Sequence, residues 1–178
     1  MKLDELLSEH QDVLVEKWTE AIFRTYPLDT TGFMRKSKDQ FHNPVGHRIT
    51  EAVQALVPAL LKPGLDSEEV TPLVDEIVRI RAVQDFTPAR AIGVFYLIKS
   101  ILRDLLKKEL NKPGIAPDLL EFESKIDTLM LLAIDIFMQC KRQIYEMRVQ
   151  EVKKQHHMLV RRANMVCEPA EEPDTPIK

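Results

Sequence analysis

The chain has 178 residues, 44% of them apolar, and a formal charge of −3 at pH 7, which fits one domain with a sizeable core and does not point to nucleic acid as a partner. Two cysteines, Cys140 and Cys167, cannot form a disulfide framework, and five glycines with few β-branched runs argue against a large sheet. Acidic residues follow Met1-Lys2-Leu3 where a signal peptide would place its apolar run, and Ile126 to Cys140, interrupted by Asp127 and Asp135, is too short to span a bilayer, so a cytoplasmic protein without membrane insertion is expected.

Leu3, Leu6, Leu7, His10, Leu14, Trp18, Ala21 and Ile22 share one helical stripe. This first helix should end near Tyr26, because Pro27 disfavours helical geometry in the residue before it. Leu28 to Gln40 is polar and punctuated by glycine, and reads as a long loop or a short helix. Asn43-Pro44 is a helix start, since Asn caps free amides and Pro at the first helical position sacrifices no hydrogen bond. Val45, Ile49, Val53, Leu56 and Leu60 form the buried stripe of the second helix, which should kink or stop early at Pro58.

Asp66-Ser67-Glu68-Glu69 caps the next element, and Thr71-Pro72 is a place where the helix could restart. Its stripe of Val74, Ile77 and Val78 continues at Arg81 and Asp85, one turn apart, a spacing at which an ion pair can satisfy itself on an apolar face. Thr87-Pro88 opens a fourth helix, apolar over more than half its surface, in which Gly93 would let a neighbouring backbone come close. Asn111-Lys112-Pro113-Gly114 then turns the chain into its longest element.

From Pro117 to about Val166 no Gly or Pro interrupts a helical repeat through Leu119, Phe122, Ile126, Leu129, Ala133, Ile136 and Cys140. Such a helix would run about 75 Å, so part of it should project. Leu129 to Ile134 is apolar on most of its circumference and should be wrapped by other helices. After Lys141 the seam narrows to Tyr145, Val149, Val152, His156, Leu159, Ala163 and Val166, with basic residues on its flanks, the heptad pattern of a helix that pairs with its own copy. The fold class expected is all-α: a bundle of about five helices over residues 1–142, a coiled-coil stalk over 143–166 and a disordered acidic, Pro-rich tail over 167–178.

Three polar groups are candidate sites. Phe41, His42, Asn43, His47 and Arg48 surround the second helix start. The bland reading is a capped helix with two surface histidines; a haem reading lacks Cys-x-x-Cys-His and finds no other His between His47 and His156 to serve as a second ligand. Arg79, Arg81, Gln84 and Asp85 could line a pocket for an anionic or small polar ligand, with Arg81 as the forked donor, or form a core ion pair that fixes helix register. His156-His157 lacks the acidic residue and the following Pro of a phosphoacceptor helix. There is no Gly-x-Ser-x-Gly, phosphate loop or His-Glu-x-x-His, so no enzyme is expected, and no metal or other cofactor.

Trp18, Thr25-Tyr26-Pro27, Phe41 to Ile49 and the string Ile77-Val78-Arg79-Ile80-Arg81-Ala82-Val83-Gln84-Asp85-Phe86-Thr87-Pro88 together resemble the N-terminal domain of RsbT co-antagonist proteins of the RsbRD type, over roughly residues 3 to 110. The resemblance implies an all-helical bacterial sensor domain, globin-like without haem or of another helical topology, that serves stress signalling by passing a signal along a helix. It also implies that Trp18, Tyr26 and the polar strings are ligand or signalling residues. Where that family usually continues into an output domain, only stalk and tail follow, so the output is expected from a protein partner. The combined expectation is a homodimeric, non-enzymatic sensor or adaptor; the alternative is a helical protein that binds a small molecule or haem.

Overall fold

The computed structural model describes residues 3–27, 43–110, 112 and 114–167, the side chains of 4 and 163–167 excepted. Among them lie six helices and no strand: α1 (Leu3–Glu9), α2 (Gln11–Phe23), α3 (Pro44–Leu61), α4 (Ser67–Val83), α5 (Pro88–Leu105) and α6 (Ile115–Cys167). The fold is an all-α bundle with a long C-terminal helix. The count exceeds the expected five because the first helix breaks at His10, whose Nδ1 lies 2.9 Å from the Leu6 carbonyl oxygen at the end of α1. The loop reading for Leu28 to Gln40, the tail from 168 onward, and Phe41 and His42 fall outside the described residues.

The chain divides into two units, Met1–Lys141 and Arg142–Lys178. In the first, α3 packs on α4 and α2, and α5 packs on α2 and α4. The core joins Leu14, Trp18 and Ile22 of α2 to Ile49, Val53 and Leu56 of α3, Val74, Ile77 and Val78 of α4, and Phe95, Ile98 and Leu102 of α5. Pro58 neither stops nor ends α3, which continues to Leu61. A proline inside a helix costs roughly 3 kcal/mol, but Val57, Ala59 and Leu60 beside it are buried, and burial of large aliphatic side chains at roughly 1.5–3 kcal/mol each outweighs the defect. Pro72 likewise sits inside α4, which starts earlier, at Ser67, where the Asp66 carboxylate accepts from the Glu68 amide at 2.9 Å.

Within the first unit α6 buries Ile115, Leu119, Phe122, Ile126, Leu129, Ala133, Ile136, Phe137 and Cys140, the expected face. It is tied down at its edges as well: Arg103 of α5 donates to both carboxylate oxygens of Glu123 at 2.7 Å, and Lys99 reaches Asp127 at 2.6 Å. The Lys125 ammonium donates to the Lys62 carbonyl at 2.8 Å, just past the end of α3. The expectation that Leu129 to Ile134 is wrapped on all sides is corrected. Leu131 is 66% exposed, and Ile134 and Met138 are exposed too. One helical face suffices to cover the bundle, so a helix apolar all round keeps its outer face in solvent.

In the second unit α6 continues as a single helix, and every described side chain from Tyr145 to Arg162 is exposed, including Val149, Val152 and Leu159. Among the described residues no helix is long and apolar enough to cross a membrane.

Candidate ligand site around Arg81

The chemistry of the α4–α5 junction follows from where α4 stops. Arg81 continues the apolar stripe and is driven inward with it, ending 0% exposed. Were α4 to run one turn further, Asp85 would lie on the same face. It ends at Val83 instead, and Asp85 takes a left-handed conformation with φ of 62°, uncommon for a residue other than glycine. Its carboxylate swings out, 80% exposed, and accepts from Lys141 Nζ at 2.6 Å. The expected Arg81–Asp85 ion pair is therefore corrected: the two side chains serve different partners.

Arg81 is held without any carboxylate among the described residues. Its Nη2 donates to Thr25 Oγ1 at 2.9 Å and to the Arg90 carbonyl at 2.7 Å, while Nε and Nη1 are buried without a hydrogen-bond partner. The guanidinium lies over the Phe86 ring at 4.2 Å and the Tyr26 ring at 5.1 Å, and these two rings meet edge to face. Stacking on aromatic faces offsets part of the cost of desolvating the cation. Burial pushes the Arg81 pKa down, opposed by Tyr26; burial also raises the Tyr26 phenol, which the nearby Arg81 charge opposes. Tyr26 donates its hydroxyl to Gln84 Oε1 at 3.0 Å. A second guanidinium, Arg90, lies over the other reach of Phe86 at 5.3 Å and donates to the Thr25 carbonyl at 2.8 Å.

Two adjoining crevices open here and share Tyr26, Pro27 and Arg90. One, of about 390 Å³, runs along Arg24, Thr25, Ala89, Gly93, Val94 and Leu97; the other, of about 360 Å³, is bounded by Gln84, Asp85, Phe86 and Thr87. Trp18, fully buried, donates from Nε1 to the carbonyl of Val94 at 2.8 Å and meets Phe95 edge on, so it supports the floor from within the core. Gly93 differs from expectation: among the described residues a Cβ there would meet nothing within 4 Å, so no described backbone requires the glycine.

Of the residues singled out in the sequence, Tyr26, Arg81 and Gln84 converge and Trp18 backs them. Arg79 does not join them: it is exposed and donates twice to Asp75, four residues back, at 2.9 Å. The α3 start is a separate place. Asn43 is buried and its Oδ1 accepts from the Gly46 amide at 2.9 Å, the expected cap. His47 pairs with Glu51 at 3.2 Å, and Arg48 reaches Glu76 of α4 at 3.7 Å, both partly in solvent. A Cβ on Gly46 would collide with the side-chain amide of Asn43, so Gly46 is what lets the cap fold back. Replacing Asn43 by Ala should cost about 0.5–2 kcal/mol, read as a lower denaturation midpoint with an unchanged slope.

Arg90, Thr25 and Phe86 were not singled out in the sequence, though the last two stand inside the motif strings. Cys140 is buried, and that burial pushes its thiol pKa up, away from the thiolate form that reacts. Among the described residues no group of three or more His, Cys, Asp or Glu could hold a metal ion.

An all-α bundle alone does not identify a class, but its sequence does: the family described as RsbT co-antagonist protein rsbRD N-terminal domain matches residues 12–152, and the chain belongs to that family. The match extends beyond the anticipated residues 3 to 110 and takes in α6 as far as Glu151-Val152. A protein from Archaeoglobus fulgidus, described as uncharacterized, is 29% identical over 148 residues, covering 82% of this chain and 87% of its own length. No solved structure matches.

Proposed function

We propose that the chain is a non-enzymatic input module of cytoplasmic stress signalling, which dimerises through residues 143–166 of α6 and acts through that helix on a protein partner that supplies the output. Family membership supports the signalling role. The observation that carries the rest is the exposure of Tyr145, Val149, Val152, His156 and Leu159 at alternating four- and three-residue steps, with Val152 and Leu159 each 64% in solvent. Apolar residues at that spacing on an otherwise charged helix lack a cover within the described chain, and a second copy of the helix supplies one by knobs-into-holes packing.

Sedimentation of the full chain beside a version truncated after Arg142 tests this. The full chain should be dimeric at concentrations on the order of micromolar and the truncation a folded monomer, since the buried face of α6 ends at Cys140. A monomeric full chain, or a truncation that remains dimeric, removes the seam as the interface.

A further inference from the structure

We infer that the crevice between the Thr25-Tyr26-Pro27 turn and α5 binds a small organic carboxylate: the carboxylate at Arg90, the apolar body over Gly93.

Charge sets the sign of the ligand. Two guanidiniums, Arg81 and Arg90, approach the same Phe86 ring, and neither has a carboxylate in ion-pair range among the described residues. Arg24 at the rim is neutralised by Glu20 at 2.8 Å, and Asp85 by Lys141. Arg81 stands behind the wall, bonded to Thr25 and the Arg90 backbone, both of which line the crevice. A buried cation with two nitrogens, Nε and Nη1, left without a hydrogen-bond partner is costly to keep, and such costs concentrate where a protein recognises charge. With no carboxylate partner among the described residues, its field falls on the crevice, and Arg90, the exposed member of the pair, is the one an anion reaches.

Shape sets the body of the ligand. Ala89, Gly93 and Leu97, four residues apart, form a row along α5, with Val94 beside them. A glycine in a helix interior destabilises it relative to alanine, and Gly93 has no steric reason within the described residues to be glycine, since a Cβ would meet open space. That open space is the crevice. A side chain at 93 would occupy the volume that the ligand body takes, about 390 Å³ in all, within the usual range for small-molecule sites.

The inference rests on the reading of the chain as an input module for its purpose, and its test does not depend on dimerisation or on any partner. Titration calorimetry of the full chain uses hexanoate, benzoate and inorganic phosphate as probes, with wild type, Gly93→Leu and Arg90→Glu. Either carboxylate should bind wild type, and phosphate, lacking a body, should bind at least about tenfold more weakly. Gly93→Leu should lose the carboxylate while melting no lower than wild type. Arg90→Glu, a change on an exposed side chain, should weaken binding by about ten- to a hundredfold, the loss expected of one charge-assisted pair. The inference is overturned if neither carboxylate gives heat at about 10 mM, ten times a millimolar Kd. It falls equally if phosphate binds as well as hexanoate, or if the variant that remains folded binds like wild type. Sedimentation unchanged in the same samples would show that such a failure concerns the crevice and not the signalling dimer.

Discussion

Arg81→Ala destabilises the first unit by about 3–5 kcal/mol, whereas Arg81→Met costs less than about 1 kcal/mol or is stabilising. Truncation to Ala leaves a void between the Tyr26 and Phe86 rings, at a site with no exposure through which water could fill it. Methionine keeps most of the volume and removes a desolvated cation. The groups Arg81 leaves behind do not become orphans: Thr25 Oγ1 still donates to the Ile22 carbonyl at 2.6 Å, and the Arg90 carbonyl lies in the first turn of α5, where intrahelical bonding is available. Urea melts of the two variants decide the matter. A methionine variant as unstable as the alanine one would mean that the charge itself holds the junction together, and an alanine variant near wild type would mean that the rings close over the gap.

Trp18→Ala is the other large effect, about 3–5 kcal/mol, because it empties the largest fully buried side chain of the core. Trp18→Phe should be far milder. It keeps an aromatic partner for Phe95 and loses chiefly the bond to Val94, whose net worth is about 0.5–1.5 kcal/mol. Circular dichroism melts of both variants check the ranking; equal losses would indicate that the hydrogen bond, and not the ring volume, dominates.

Much of this architecture was legible in the residues. The Leu14/Trp18/Ile22, Ile49/Val53/Leu56 and Leu119-to-Cys140 stripes lie in the core as helical periodicity requires, and Asn43 caps as its chemistry predicts. Errors came where periodicity was extended past an unseen helix end. Asp85 follows Arg81 by four residues, but spacing means shared face only while the helix lasts, and α4 stops at Val83. The apolar run at Leu131 and Ile134 misled for the opposite reason: periodicity shows what a helix could bury, not how many neighbours it has. The candidate site was half visible. Arg81 betrayed itself as a charge on an apolar stripe, while Arg90, in the polar first turn of α5, carries no local signal, since only tertiary packing of the Thr25-Tyr26-Pro27 turn brings it to Phe86. Gly93 is visible in the sequence but its purpose is not, because a sequence cannot tell a glycine that admits a neighbour from one that leaves room.

The Trp18–Val94 bond gives the protein a built-in optical readout. Trp18 is the sole tryptophan, so the emission spectrum of the whole chain reports one dry indole whose N–H is anchored to the carbonyl of the residue next to Gly93. Emission in the native state should lie to the blue of free indole in water and shift red on unfolding. Because Val94 also lines the crevice, an occupant pressing on α5 should change the intensity or lifetime of that same signal, so the chain can be interrogated without a label.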